Sequence, residues 1–181
     1  YDEAQVAELD EWLRRVEACY ERLAPVDLVL RHRWLFSGHW VELPGRERDD
    51  DFQARGDSLT QARTAALAEI WQSLGMTGIE NLIAACAEPG AVGATLARMD
   101  WAGVRWANWI IDKGAPFAAG LHMTWCIAGL LRALPALRSA ELLREAITIG
   151  GQLGWDAVQR ARLLVIARPD WETWQLATNC N

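Results

Sequence analysis

Apolar residues recur with helical spacing along most of the chain. The pattern is clearest near the beginning, where apolar side chains follow alternating steps of three and four residues and so share one helix face. Six residues form this stripe: Val6, Leu9, Leu13, Val16, Tyr20 and Leu23. Pro25 cannot continue a helix, because its ring clashes with the preceding turn. The spacing predicts an amphipathic first helix that ends before Pro25.

Residues 26–56 show no helical periodicity. The stretch 26–36 is compatible with an extended chain, and the dipeptide Pro44–Gly45 marks a turn. The charged run 46–51 that follows is typical of a solvated loop. We therefore expect one irregular segment between the first helix and the rest of the chain.

From Ser58 onward the pattern is helical, and glycine, proline and capping residues mark the ends of the helices. Ser58 and Gln61 fit a capping box, Gly75 ends that helix, and Pro89 breaks the next one. Further helices are predicted over 100–113, 115–133, 139–149 and 155–167, with a last short one after Pro169–Asp170. The fold class is therefore predicted as all-α, a single domain over 1–181 with about eight helices stacked as hairpins.

Three helix–proline–helix junctions suggest an internal repeat. Pro89, Pro135 and Pro169 are separated by 46 and 34 residues, and these steps bracket the periods of helical-hairpin repeats. The apolar runs 83–87 and 163–167 align when the first and last of these prolines are superposed. Any helical bundle contains such junctions, so a HEAT- or TPR-like repeat and an irregular helical bundle both stay open.

Composition adds one unusual feature, which is eleven tryptophans in 181 residues. A chain of this length can bury a full hydrophobic core. Each large indole ring must be buried or form part of a contact surface. We interpret the tryptophans as core filling for stacked hairpins, with Trp171 and Trp174 near the end of the chain as the expected contact surface.

Net charge and cysteine content indicate which partners and which cellular compartment to expect. The formal net charge of −6 argues against a nucleic-acid partner, because neutralising phosphates requires a basic surface. Four separated cysteines without a CxxC pair favour reduced thiols in a cytoplasmic protein.

The most apolar stretch, 116–131, is shorter than the roughly 20 residues that cross a bilayer, so no membrane partner is expected. The chain begins at Tyr1 rather than methionine, which favours a processed piece or a part of a longer protein.

None of the common catalytic motifs occurs, neither a phosphate loop nor a nucleophile elbow nor a zinc-type cluster. We therefore predict no catalytic residue, no metal site and no cofactor. His122 and Cys126 have a chelating spacing but lack further ligands, so we interpret them as a core cysteine beside a packed histidine. The acids Glu47 and Asp49 to Asp51 lack the pattern of a calcium loop and favour a solvated charge run.

The densest mixture of basic and aromatic residues provides the candidate binding residues Arg31, Arg33, Trp34, His39 and Trp40. Arginine and aromatic side chains can hold an anion or stack on a base. Alternatively, the arginines pair with acids of the first helix or of the 47–51 loop while the rings anchor the segment to the core. We favour this structural role.

The segment 160–174, RARLLVIARPDWETW, resembles helix–proline–helix junctions in helical-repeat regions of large bacterial multidomain proteins, some of them signal-transduction ATPases or defence-type effectors. The run 31–36, RHRWLF, is similar to segments of the same uncharacterised regions. The resemblance covers about half of the chain. It implies a HEAT- or TPR-like sensing or scaffolding region and carries over no catalytic residues.

These observations favour a non-catalytic interaction module that binds a protein partner or a neighbouring domain of a longer chain. An alternative is a small all-helical enzyme that uses Asp49 to Asp51, or His32 and His39, around a metal or an anion. A third hypothesis is a ligand-sensing bundle with a tryptophan-lined pocket. The sequence separates the first hypothesis from the third poorly.

Overall fold

The computed structural model describes residues 3–43, 51–99, 103–114 and 120–178. Within these ranges the chain forms nine α-helices, one 3₁₀ helix over Arg33–Phe36 and no β-strand. The helices are α1 (Glu3–Leu23), α2 (Leu28–His32), α3 (Phe52–Ala85), α4 (Pro89–Leu96), α5 (Trp106–Gly114), α6 (Leu121–Ala133), α7 (Ala136–Gln152), α8 (Ala157–Ile166) and α9 (Trp171–Thr178). The predicted all-α class and number of helices are confirmed.

Several helix ends lie where the sequence predicts them. Helix α1 ends at Leu23, before Pro25. Helix α9 begins directly after Asp170, whose carboxylate accepts the backbone N–H of Thr173 at 2.9 Å. At Gly75 the backbone turns to φ 62°, a conformation that glycine adopts without the steric penalty of a Cβ atom. The helix end predicted at Gly75 therefore corresponds to a sharp break in the backbone within α3.

The expectation of a wholly irregular 26–56 segment was wrong for its first part. Residues 28–36 are helical, because the carboxylate of Asp27 caps α2 by accepting the N–H groups of Val29 and Leu30 at 2.8 and 3.1 Å. Residues 37–43 are non-helical, as predicted. Residues 44–50, with Glu47, Asp49 and Asp50, lie outside the described residues.

The predicted start at Ser58 was also wrong, because α3 begins six residues earlier. The carboxylate of Asp51 accepts the N–H groups of Gln53 and Ala54 at 2.8 and 3.4 Å and so caps the helix. The hydroxyl of Ser58 instead donates to the carbonyl of Ala54 inside the helix at 2.8 Å. A serine within a helix satisfies its hydroxyl in this way as readily as at a cap.

The later helices differ from their predicted bounds by a few residues. Helix α7 is longer at both ends than the predicted 139–149. Helix α8 starts after a capping box, in which Asp156 and Gln159 each accept the other's backbone N–H at 2.7 and 2.9 Å. The predicted beginnings of α5 at 100 and of α6 at 115 lie outside the described residues.

The centre of the fold is the crossing of α4 and α6. A Cβ atom on Gly93 would overlap the carbonyl oxygen of Cys126 and would lie 2.7 Å from the backbone nitrogen of Leu130. A Cβ atom on Gly129 would overlap the carbonyl oxygen of Gly90 in the same way. Only glycine allows two backbones to approach so closely. These positions therefore fix how the two helices cross.

The other helices surround this crossing. Helix α3 packs against both α4 and α6, and further along the chain α5 contacts α7, α6 contacts α8, and α7 contacts α9. The completely buried side chains of the core come from several of these elements: Phe36, Leu67, Ile70, Ile79, Leu82, Ile110, Leu131 and Leu143. In the described part of the chain, no helix has the length and apolarity needed to cross a membrane.

Candidate anion-binding cleft

A cleft of about 420 Å³ lies between α3, α4 and α6, within the size range of small-molecule sites. Each of these three elements contributes four lining residues with the spacing i, i+3, i+4 and i+7, which places them on one helix face. In each case the residue at i+7 is an arginine. These residues are Gly56, Leu59, Thr60 and Arg63 on α3, Ala91, Ala94, Thr95 and Arg98 along and just beyond α4, and Trp125, Ala128, Gly129 and Arg132 on α6.

The small residues at the inner positions make room for the cleft. Ala94, Ala128 and Gly129 line it without filling it. Gly129 also belongs to the crossing of α4 and α6. The contact that joins these two helices therefore also brings Arg98 and Arg132 to the same cleft.

Arg63 is the most restrained of the three arginines. Its Nε donates to the carbonyl of Leu35 at 2.8 Å, and its Nη2 donates to the carbonyl of Gly38 at 2.7 Å. Its guanidinium lies over the ring of Phe36, 5.5 Å from the centroid. Burial lowers the pKa of Arg63, while the Glu88 carboxylate raises it. An arginine remains charged at neutral pH in any such setting.

Arg98 and Arg132 are exposed and each uses one guanidinium nitrogen in a hydrogen bond. Nη1 of Arg98 donates to the hydroxyl of Thr60 at 3.0 Å, and Nε of Arg132 donates to the carbonyl of Ile166 at 3.1 Å. A guanidinium has five N–H donors, so most of those on Arg98 and Arg132 have no partner among the described residues and can serve a ligand. Neither residue, nor Arg63, forms an ion pair with a carboxylate in the described part of the chain.

Among the described residues, Glu88 is the one acidic residue that lines the cleft, against three arginines. Its backbone N–H donates to the carbonyl of Phe36 at 2.9 Å, which ties the start of α4 to the 3₁₀ helix. The described lining of the cleft is therefore positively charged, whereas the whole chain has a formal net charge of −6. Such a concentration of unneutralised positive charge attracts anions.

Two half-exposed indole rings complete the lining. Trp40 and Trp125 are 52% and 56% exposed. The ring of Trp40 is held edge-to-face by His39 and Phe52, with centroids 5.9 and 6.3 Å apart. Both rings present apolar surface beside the arginines, which suits a flat ligand group.

The candidate binding residues from the sequence lie in several separate places. His39 and Trp40 line the cleft. Arg31 lies elsewhere: its Nη1 is 3.8 Å from Oε1 of Glu69 on α3, and Nε2 of His32 is 2.8 Å from Oε2 of the same carboxylate. The acid that pairs with Arg31 is thus on α3, whereas we had expected it on the first helix or in the 47–51 loop.

Trp34 packs partly buried against the core, and Arg33 is exposed outside the cleft. Trp171 and Trp174 form a separate pair on α9, with parallel rings 6.3 Å apart that are 66% and 63% exposed. The interpretation of the tryptophans as core filling was wrong for Trp12, Trp40 and Trp125, whereas Trp171 and Trp174 had been expected to form a contact surface. The exposed rings are those of Trp12, Trp40, Trp125, Trp171 and Trp174.

Of the two possible metal sites from the sequence, His122 and Cys126 have other surroundings, and only Asp51 of the second site is described. Nδ1 of His122 lies 3.1 Å from the carbonyl oxygen of Ile83, and the thiol of Cys126 is completely buried. Burial raises the pKa of Cys126, and it raises that of Cys86 to about 11. Asp51 serves as the cap of α3. In the described ranges no three potential metal ligands form a group.

The sequence analysis did not identify Arg63, Arg98, Arg132 or Trp125. The signal that could have found them is the repeated 0, 3, 4, 7 spacing of small residues before an arginine, although only the packing shows that the three helix faces meet. No protein-family model, curated protein or solved structure matches this chain. We therefore infer the function from the chemistry of the cleft.

Proposed function

We propose that this chain is a non-catalytic binding module that recognises a small anionic ligand in the cleft. The observation that carries the proposal is the convergence of Arg63, Arg98 and Arg132 from three elements, without an ion-pairing carboxylate among the described residues. Unpaired positive charges that face each other destabilise a fold. A ligand that neutralises them explains why they lie together.

The chemistry of the lining indicates the kind of anion. Arginine binds carboxylate and phosphate groups through pairs of parallel hydrogen bonds. The half-exposed rings of Trp40 and Trp125 favour an anion that also carries a flat ring, because such a ring can stack on an indole. The cleft volume of about 420 Å³ suits a small molecule rather than a polymer. The ligand class is thus a small aromatic or ring-bearing phosphate or carboxylate.

Binding rather than catalysis agrees with the titration behaviour of these groups. Guanidinium groups hold charge but do not exchange protons at neutral pH. The contacts between helices two apart in the chain, such as α5 with α7, support the stacked-helix sensing or scaffolding region that the resemblance implies.

A protein-interaction role is the second candidate, and the surface of α9 favours it. Trp171 and Trp174 present two parallel, mostly exposed rings. Exposed tryptophan is enriched among residues that dominate protein interfaces. In this version the chain relays ligand binding to a protein partner or neighbouring domain through α9.

The proposal is tested by calorimetric titration of the full chain with phenyl phosphate, which combines a dianion with a flat ring. We expect one site per chain. The double substitution Arg98→Gln with Arg132→Gln should weaken binding by roughly 10-fold or more, since each removes a charge-assisted hydrogen bond. Arg138→Gln is the matched control, because Arg138 is 77% exposed on α7, outside the cleft, and should leave the affinity unchanged.

Titrations with inorganic phosphate and with phenol separate the contributions that the anionic group and the ring make to the affinity. Inorganic phosphate should bind more weakly than phenyl phosphate, and phenol should not compete measurably. The affinity for phenyl phosphate should fall as salt concentration rises, because screening weakens the attraction between exposed charges. The proposal fails if phenyl phosphate does not bind, or if the double variant and Arg138→Gln bind it equally well.

A further inference from the structure

In the described part of the chain, helix α1 contacts none of the other helices, whereas each of the others contacts at least one. Its side chains Leu9, Trp12, Leu13 and Val16 are between 41% and 59% exposed. An apolar row of this length is costly to leave in water, and on folded proteins it marks a surface that meets another molecule. The structure therefore contains an amphipathic helix without an intramolecular partner.

The spacing of this row indicates what covers it. Its steps of three and four residues repeat every seven residues over the 18 residues from Val6 to Leu23, and all six core positions in these two and a half heptads are apolar. A repeat of seven residues matches the 3.5-residue period of a left-handed coiled coil. In the heptad frame Val6, Leu13 and Tyr20 occupy position a, and Leu9, Val16 and Leu23 occupy position d. The surface thus fits another helix.

We infer that α1 pairs in parallel with the α1 of a second copy of this chain, as a two-stranded coiled coil. Charge at the flanking positions supports a second copy in this orientation. In a parallel pair, Gln5 faces Asp10 of the other copy and Trp12 faces Glu17, so no like charges meet. In an antiparallel pair the two acidic e positions face each other, which places Asp10 against Glu17 twice.

The outer face of α1 is consistent with this pairing. Arg14 and Arg15 lie away from the seam at heptad positions b and c. Both pair within the helix with Glu11, at 3.4 and 3.2 Å. Arg14 and Arg15 are therefore engaged on the outer face of the helix, and the seam presents an apolar row with acidic flanks to its partner.

The mass of the full chain in solution tests the pairing. Light scattering or sedimentation over a concentration series should show twice the mass of one chain. Leu13→Glu should raise the dissociation constant of the dimer by at least about 100-fold, because it removes a buried leucine from both copies. Ala18→Glu adds the same charge at the outer position f and should leave the dimer intact. A monomer at all concentrations, or a dimer that Leu13→Glu does not affect, overturns the inference.

A disulfide test determines the orientation. In a chain with Cys19→Ser and Cys180→Ser, the substitution Leu9→Cys places a thiol at position d, where parallel helices face each other at the same residue. Mild oxidation should then link two copies, whereas Glu11→Cys on the outer face should not link them. A dimer that Leu9→Cys fails to cross-link overturns the parallel arrangement. Because α1 contacts no other described helix, neither test perturbs the cleft.

Discussion

Helices α1 and α4 show how differently two helices of one chain can use their apolar residues. Helix α1 has a regular apolar stripe, yet its described apolar side chains remain exposed. Helix α4, with the sequence PGAVGATL, has no such stripe, yet it crosses α6 at the centre of the fold. Periodicity thus predicts which residues share a face, whereas the fit between backbones determines what that face contacts.

This difference separates the two proposed activities. The cleft depends on the glycine-lined crossing of α4 and α6, because that crossing brings Arg98 and Arg132 together. Self-association depends on α1, which contacts neither helix. Substitutions at one region should therefore leave the activity of the other unchanged.

The largest effect is expected from Gly93→Ala. The new methyl group would overlap the backbone of Cys126, and backbone atoms cannot move aside as the end of a side chain can. We expect the free energy of unfolding to fall by more than about 3 kcal/mol, beyond the usual cost of overpacking. Chemical denaturation measures this change, and ligand binding should be lost with it.

The matched control for Gly93→Ala is Gly151→Ala on α7. No heavy atom lies within 4 Å of a Cβ atom built at Gly151. Alanine is the better helix former, so this variant should be more stable by about 0.5 kcal/mol. Equal effects of the two substitutions would show that the close crossing does not determine stability.

A pair of leucine truncations compares the two regions directly. Leu131 on α6 is completely buried, whereas Leu13 on α1 is 41% exposed. Leu131→Ala should reduce the free energy of unfolding by about 2–4 kcal/mol. Leu13→Ala should change it by less than about 0.5 kcal/mol, at concentrations too low for self-association. A large effect of Leu13→Ala in the monomer would mean that α1 packs on the body of the chain.

Cysteine reactivity distinguishes the same regions under native conditions. Cys19 on α1 is exposed, whereas Cys86 and Cys126 are buried. Because burial raises the pKa of Cys86 from 9.0 to about 11, its reactive thiolate is about 100-fold scarcer at neutral pH. With iodoacetamide, mass spectrometry should show rapid modification at Cys19 and slow modification at Cys86 and Cys126. Raising the pH towards 11 should narrow the difference, since thiolate then forms at Cys86. Rapid alkylation of Cys126 would contradict the tight crossing.

The sequence predicted the local features of this fold well. Pro25, Gly75 and Pro169 each mark a change of backbone direction, because glycine and proline act on their own residue and its neighbours. The start of α3 was missed because Asp51 and Ser58 are both acceptable caps, and the choice between them depends on what the first turn packs against. Local rules cannot make that choice.

The cleft was only partly predictable for a related reason. His39 and Trp40 were identified because they lie within a visibly basic and aromatic segment. Arg63, Arg98 and Arg132 lie 35 and 34 residues apart in the sequence, and only the three-way packing of α3, α4 and α6 brings them together. Trp12, Trp40 and Trp125 were misjudged because the size of an indole predicts burial, although an indole also suits a binding surface.

The indole N–H signals of the tryptophans provide the most direct test of the cleft as an anion-binding site. In a ¹⁵N-labelled chain, each indole gives its own nuclear magnetic resonance signal, which single Trp→Phe substitutions assign. On addition of phenyl phosphate, the signals of Trp40 and Trp125 should shift together and saturate at one ligand per chain. Those of Trp12, Trp171 and Trp174, which are equally exposed but outside the cleft, should stay in place. Equal shifts at all five exposed rings, or none at Trp40 and Trp125, would contradict the proposed site.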